Sequence, residues 1–423
     1  MLAPGQILTL LIDKPAVGGR MIARVDGRIV LVDGAVPGER VSARVERVGK
    51  GVVYADTVAV DSPSPDRCEP FVDPRCGGCL YAHIAYRRQL EIKGLVIADA
   101  FARTGRLPLS EAVAVAGSPT HGYRMRARLH RRGARLGFFR EGTHDVCDAR
   151  TTRQLLDATA DVLDRVGAAL AGEPADAVRE IEVSENVDAS ERVVHLHAGS
   201  QAVGLSPDRV ASIDGLTGVT LSAPAGCRVL AGAAHVHDRL PLDAGPVLDI
   251  RRHVLAFFQG NRFLLHRLVD HVVGQLPDGG LVIDLYAGGG LFSVAAARVR
   301  GARVTAVEGD RLAADDLVAN AQAIGDAVTP VHQPVERFLQ ASRPAPDAIL
   351  VDPPRTGLSK EALAGVARLG APRIVYVSCD VATLARDARR LVDHGYRLAR
   401  LDAFDLFPNT PHVEVVVVFE SNG

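Results

Sequence analysis

Hydrophobic and polar positions change rhythm along this 423-residue chain. Over residues 1–60 the period is two. Short β-branched runs in "RMIARVDGRIVLVDGAVPGERVSARVERVGKGVVYADTVAV" are broken at Asp-Gly, Pro-Gly and Gly-Lys-Gly. Such breaks mark strand ends and turns. Five strands in so short a span predict a small barrel of the OB type, an architecture that binds many ligands, nucleic acids among them. "DSPSPDR" (61–67) reads as a linker, and "YRRQLEIKGLVIADAFARTG" (86–105) as a helix. Residues 120–255 mix arginine-rich strands with a helix near 151–172, predicting an α+β middle domain. From about 262 strands and helices alternate: "GLVIDLYAGGG", then "LFSVAAARVR", then "RVTAVEG", and so on to "HVEVVVVFE". This pattern predicts a doubly wound α/β domain with a largely parallel sheet. The predicted fold class is therefore multidomain α/β, divided at 1–60, 61–255 and 256–423, with helix 86–105 free to pack on the C-terminal domain.

Composition narrows the setting. The N-terminus has no basic region and meets Asp13 before an apolar span is complete, so no secretory signal is expected. No run of about 18 apolar residues is present, so no membrane span is expected. A cytoplasmic location and a monomer are the resulting expectations. In that compartment thiols stay reduced, and clustered cysteines point to metal or catalysis. The net charge of −1 favours no particular partner. Local charge differs: "YRMRARLHRRGARLGFFR" (123–140) holds seven arginines and no acid. It reads either as a solvated edge strand or as a phosphate-contacting surface.

Chemistry concentrates in the C-terminal domain. In doubly wound folds ligands bind beyond the carboxyl ends of the strands. "DLYAGGG" puts Asp284 near the end of the first strand and Gly288, Gly289 and Gly290 in the turn, where a ligand can approach the backbone. Glu308 ends the next strand, where an acid can hold ribose hydroxyls. The spacing departs from the G-x-G-x-x-G of dinucleotide sites and resembles the first motif of S-adenosylmethionine methyltransferases. Cys379, in "VYVSCDVATLARD", lies where a strand gives way to a helix, and a helix N-terminus favours a thiolate. Asp352 in "VDPPRTG" and Glu414 in "FPNTPHVEVVVVFE" reach the same edge.

With "FFQGN" (257–261), these motifs in this order resemble the RNA 5-methyluridine methyltransferases, in particular the iron–sulfur branch that modifies 23S ribosomal RNA. The resemblance spans essentially the whole chain. It implies that residues 1–60 form a TRAM domain, that S-adenosylmethionine is the methyl donor and that RNA is the partner. It implies that Cys379 is the nucleophile adding to carbon 6 of uracil and Glu414 the general base. Gln259, Tyr286, Glu308 and Asp352 are implied as cofactor or substrate contacts; Asp352 serves equally to read the uracil edge. "DRCEPFVDPRCGGC" resembles the cluster-binding segment. Four thiolates suit a [4Fe–4S] cluster or structural zinc. The arrangement of Cys68, Cys76 and Cys79 with Cys147, together with the resemblance, favours the cluster. Relatives carry the fourth ligand a few residues later, where this chain has Thr151 and Thr152.

Two departures stand out. Leu291 follows the glycine turn where many relatives have asparagine or threonine. Asp380 follows Cys379 in place of asparagine, and its charge would raise the thiol pKa. The alternatives are the same reaction on transfer RNA and a non-catalytic RNA-binding protein that keeps the fold; an intact Cys379 and Glu414 argue against the latter.

Overall fold

The computed structural model describes residues 2–174, 177–199, 208–223, 226–243, 245–341 and 344–422. Strands Ile7–Pro15, Met21–Val25, Arg28–Asp33, Arg40–Val48 and Val52–Ser62 close into a barrel. The period-two pattern explains it: Leu8, Leu10 and Ile12 face in, and their neighbours face out. Tyr81, Ile84, Ile92 and Val96 pack on the same core from outside the barrel.

Ile92 and Val96 belong to the helix Tyr86–Ala100, whose further residues Ile97 and Ala100, with Phe101, pack among Leu384, Ala385 and Ala388 of the C-terminal domain. One helix thus ties the barrel to the C-terminal domain. Gly94 permits the approach of the next segment, because a Cβ there would lie 2.3 Å from the Val113 carbonyl oxygen.

The middle region forms a seven-stranded sheet on helix Asp157–Leu170, through Leu129, Val183, Leu163 and Val166. The arginine-rich strand Arg126–Arg132 is not an edge. It lies between Val178–Glu185 and Arg135–Phe139, with Arg128 opposite Glu182 and His130 opposite Glu180. The solvated-edge expectation fails because these acids on the neighbouring strand let the arginines enter a sheet interior as ion pairs.

The C-terminal sheet has eight strands in the order Val328–His332, Arg303–Glu308, Leu281–Leu285, Ala348–Val351, Arg373–Ser378, Glu414–Ser421, Tyr396–Phe404, Val115–Ala116. The first five are parallel and Glu414–Ser421 runs against them. Ala348–Val351 is buried throughout, as a strand covered on both faces must be. The hairpin His235–Leu240/Leu248–His253 also packs Leu240, Leu248 and Ile250 into this core. Strand order reverses between Leu281–Leu285 and Ala348–Val351, the place where such sheets open a ligand crevice. No helix among the described residues is long and apolar enough to cross a membrane.

Candidate active site

The crevice begins at the glycine turn. Tyr286, Gly288 and Gly290 all adopt the left-handed region, with φ of 62°, 55° and 87°. A Cβ on Gly290 would come within 2.6 Å of Leu317 Cδ1, so the turn needs glycine there. Gly288 N–H donates to Glu308 Oε2 at 2.8 Å and Asp310 N–H to Oε1 at 2.6 Å. Glu308 therefore stands at the lip of the turn. Asn320 Nδ2 donates to the Gly289 carbonyl at 2.7 Å and to the Arg251 carbonyl at 2.8 Å, holding the turn from behind.

Beneath the turn, Asp284 is buried. It accepts from Ser293 Oγ at 2.5 Å through Oδ2, while Oδ1 is buried without a partner. Burial pushes its pKa up to about 7, with Asp352 and Glu308 adding to the rise and the Ser293 hydrogen bond opposing it. The sequence reading placed Asp284 at the strand end without a role; its burial is a tertiary fact. A raised folded pKa means the folded state prefers the protonated acid, so this group's stabilising contribution is complete below about pH 4 and is lost as pH rises toward 7. Asp284→Asn is expected to raise the melting temperature of the cofactor-free protein at pH 8, with the gain shrinking by pH 4. The effect is on the order of a few kcal/mol at most. Thermal melts at the two pH values check it, and a gain independent of pH would reject burial of the charge as the cause.

Across the crevice, Gln259 Nε2 donates to Asp352 Oδ2 at 3.0 Å. Burial raises Asp352 to about 7, against the Gln259 bond. Cys379 follows strand Arg373–Ser378. Because Ser378 pairs with Val415, Cys379 and Glu414 are neighbours at the sheet edge. Burial lifts the Cys379 thiol to about 11; Glu414 and Asp352 add to this and Arg355 works against it. Burial and the neighbouring carboxyls thus act against the thiolate that a helix terminus favours. Asp380 does not explain the rise. Its carboxylate caps helix Val381–Asp393, accepting from Thr383 N–H at 2.8 Å and Thr383 Oγ1 at 2.9 Å. Glu414 is almost wholly enclosed, and burial followed by Asp352 holds its carboxyl well above the usual range.

A cavity of about 640 Å³ adjoins these groups, lined in part by Gln259, Arg355, His412, Phe257, Arg124 and Cys76. Phe257 is 64% exposed, unusual for a large apolar side chain. Arg355, His412 and Arg124 had no individual signal in the sequence; only the fold brings them to one cavity.

A family profile described as tRNA (Uracil-5-)-methyltransferase matches residues 339–422, and a TRAM domain profile matches 2–58. The chain is 32% identical to the 23S rRNA (uracil(1939)-C(5))-methyltransferase of Pseudomonas entomophila, covering 99% of this chain and 94% of that one. It belongs to the RNA uracil-C5 methyltransferase family. A Thermotoga maritima relative described as an RNA methyltransferase is 30% identical over 96% of this chain and 97% of its own. The tRNA (uracil-54, C5)-methyltransferase of Pyrococcus abyssi, solved with S-adenosyl-L-homocysteine, shares the fold: TM-score 0.78 at 24% identity, over 97% of this chain and 99% of that one. The methyltransferase and TRAM expectations are therefore met.

Cys76 and Cys147 form a disulfide, and Cys68 and Cys79 remain free thiols. Among the described residues no group of three or more His, Cys, Asp or Glu side chains is arranged to hold a metal ion. A disulfide removes two of the four expected ligands, since metals bind thiolates. The cysteines still converge. Cys76, Cys79 and Cys147 share one apolar nest with Phe71, Val72 and Ala82, and the Cys68 thiol donates to the Ala82 carbonyl at 3.6 Å. Cys79 Sγ lies 4.0 Å from the Thr152 carbonyl, so the segment holding Thr151 and Thr152 borders the same nest.

Proposed function

We propose that this protein methylates carbon 5 of a uridine in 23S ribosomal RNA, using S-adenosylmethionine. The adjacency of Cys379 and Glu414 beside Asp352 carries the reading, because a nucleophile and a base side by side at the ends of two paired strands are what carbon-5 alkylation of uracil requires. The relatives named for 23S rRNA, similar over nearly the full chain, support that RNA. The family description favours transfer RNA as the second reading.

The turn fits the cofactor. Space is open beside Gly288, Glu308 stands at the lip, and buried Asp284 Oδ1 lacks a partner. Bound S-adenosylmethionine would supply an electrophilic methyl group and keep the electron pair of the broken sulfur–methyl bond, leaving as S-adenosylhomocysteine. Cys379 gives its thiol proton to solvent, its sulfur bonds to carbon 6 of uracil, and the carbon 5–carbon 6 π pair moves toward carbon 5 and the carbonyl. Carbon 5 takes the methyl. Glu414 removes the carbon-5 proton, the double bond re-forms, and the sulfur–carbon bond breaks. Gln259 and Asp352 lie where they can hold the uracil edge or the cofactor. Arg355 stabilises the departing and returning thiolate. The test is mass-spectrometric mapping of 5-methyluridine in ribosomal and transfer RNA from a strain lacking the gene. Loss from 23S rRNA supports the reading, loss from transfer RNA moves it to the second, and no loss rejects both.

The cysteine nest supports a further assignment. With the Cys76–Cys147 bridge reduced, Cys76, Cys79 and Cys147 share one apolar nest and exposed Cys68 bonds to Ala82 at its border, four thiols of the kind that hold a [4Fe–4S] cluster. Burial raises the Cys79 thiol to about 12 and also lifts Cys68, so charge on a bound ion would be needed to keep them ionised. Protein purified without oxygen is expected to be brown, with about four irons and four labile sulfides per chain. Cys76→Ser should lose the iron. Colourless protein with the bridge intact would leave the disulfide as the role of this pair.

A further inference from the structure

The arginine-rich stretch 123–140 takes no part in the chemistry above. Most of its arginines are spent within the fold. Arg126 pairs with Glu182 at 2.5 Å, Arg128 with Glu180 at 2.8 Å and Arg140 with Asp73 at 2.8 Å. Arg131 donates to the Glu173 carbonyl at 2.6 Å and Arg132 to the His144 carbonyl at 3.3 Å. Arg135 is exposed and does not line the cavity. Arg124 is the exception. It lines the cavity, has no carboxylate partner among the described residues, and its Nε is buried with no hydrogen bond. Its guanidinium lies 5.6 Å from the Phe138 ring centroid and 6.0 Å from that of Tyr123. Aromatic faces hold a guanidinium in place without cancelling its charge.

The rest of the cavity does not supply the missing anion. Two of its other arginines are paired with carboxylates, Arg75 with Asp56 at 2.8 Å and Arg126 with Glu182, while Arg355 stands beside the Cys379 thiol and belongs to the catalytic group. Glu141 is the sole acid in the lining. A partly buried cation without a counter-ion is costly unless a ligand provides one. A guanidinium fork matches phosphate oxygens, and phosphate is the anion that every nucleotide of an RNA carries.

We propose that Arg124 binds a backbone phosphate of the RNA next to the target uridine, fixing the strand in the cavity that leads to Cys379. The proposal rests on the RNA-methylating reading. Arg124 is a positioning residue that carries no sequence information.

The test measures binding of a fluorescent oligonucleotide spanning the methylated uridine to wild type, Arg124→Ala, Arg124→Lys and Arg128→Ala, from 50 to 200 mM salt (about the range over which counterion release is read). Arg124→Ala should weaken binding about ten- to a hundredfold and lower the slope of log K against log salt by about 0.7. Arg124→Lys should recover the slope but only part of the affinity. Cofactor affinity and melting temperature should stay at wild-type values, which separates an RNA contact from a fold defect or a contact to the cofactor carboxylate. If Arg124→Ala fails to fold, Arg124→Lys is read with a second probe. Single methylphosphonates are placed along the oligonucleotide: the position that weakens wild type should cost nothing further in a variant that has lost the contact, and less in Arg124→Lys. An unchanged salt slope, an equal change in Arg128→Ala, or methylphosphonate penalties that add at every position would overturn the proposal. Wild type that methylates RNA normally while these results fail sinks only the phosphate assignment; wild type that transfers no methyl to RNA sinks the functional reading beneath it.

Discussion

Cys379→Ala should abolish methyl transfer and leave S-adenosylmethionine binding largely intact. In the proposed mechanism Cys379 makes the poorly reactive carbon 5 attackable, and removing it closes the covalent route, a loss of several orders of magnitude in kcat. The cofactor turn is built from Tyr286 to Gly290 with Glu308, and none of these groups depends on Cys379. Structural damage should be small: the thiol is half-buried and alanine keeps the strand-to-helix junction, whose cap is Asp380. Calorimetric titration of the cofactor and single-turnover methylation, side by side, read the two effects. Activity within about tenfold of wild type would exclude covalent catalysis.

Glu414→Gln should have an equally large effect on turnover and a different signature. Addition of Cys379 and methylation need no base at Glu414, but the carbon-5 proton then has no acceptor. The methylated RNA should stay bonded to the protein through Cys379 and survive denaturing electrophoresis. Burial already holds Glu414 well above the usual carboxyl range, so the neutral amide changes little around the Cys379 thiol and the first addition should not be slowed. Glutamine is close in volume, and the neutral side chain suits a site where burial already holds the acid's pKa high, so folding is preserved. Normal turnover with no adduct would remove Glu414 from the base role and direct attention to Asp352, which burial raises to about 7.

The architecture was legible where it follows from periodicity. Alternation over 1–60 marked a barrel because one face of each strand must leave water, and the strand–helix repeats from 262 marked a parallel sheet. The placement of the glycine turn, Glu308, Asp352, Cys379 and Glu414 near strand ends was legible because strands and helices alternate there. The ionisation of these groups was not. A helix terminus favours a thiolate at Cys379, whereas the burial and nearby carboxyls that the sheet imposes raise its pKa. Asp380 was expected to raise that pKa, yet its carboxylate is turned to the helix cap.

The sequence by itself determined the order of the elements, the motifs at their ends and the family they resemble, because these depend on neighbours along the chain. Only the tertiary structure decided what depends on neighbours through space. It set Arg126–Arg132 in the interior of a sheet opposite Glu180 and Glu182 and left Arg124 without a carboxylate partner among the described residues. It joined Cys76 to Cys147 across 71 residues and drew Cys79 beside Thr152. It buried Asp284 with one oxygen unpartnered. The physical reason is the same in each case: charge, bonding and protonation answer to local dielectric and to partners within a few ångströms, and those are fixed by packing between segments that lie far apart in the chain.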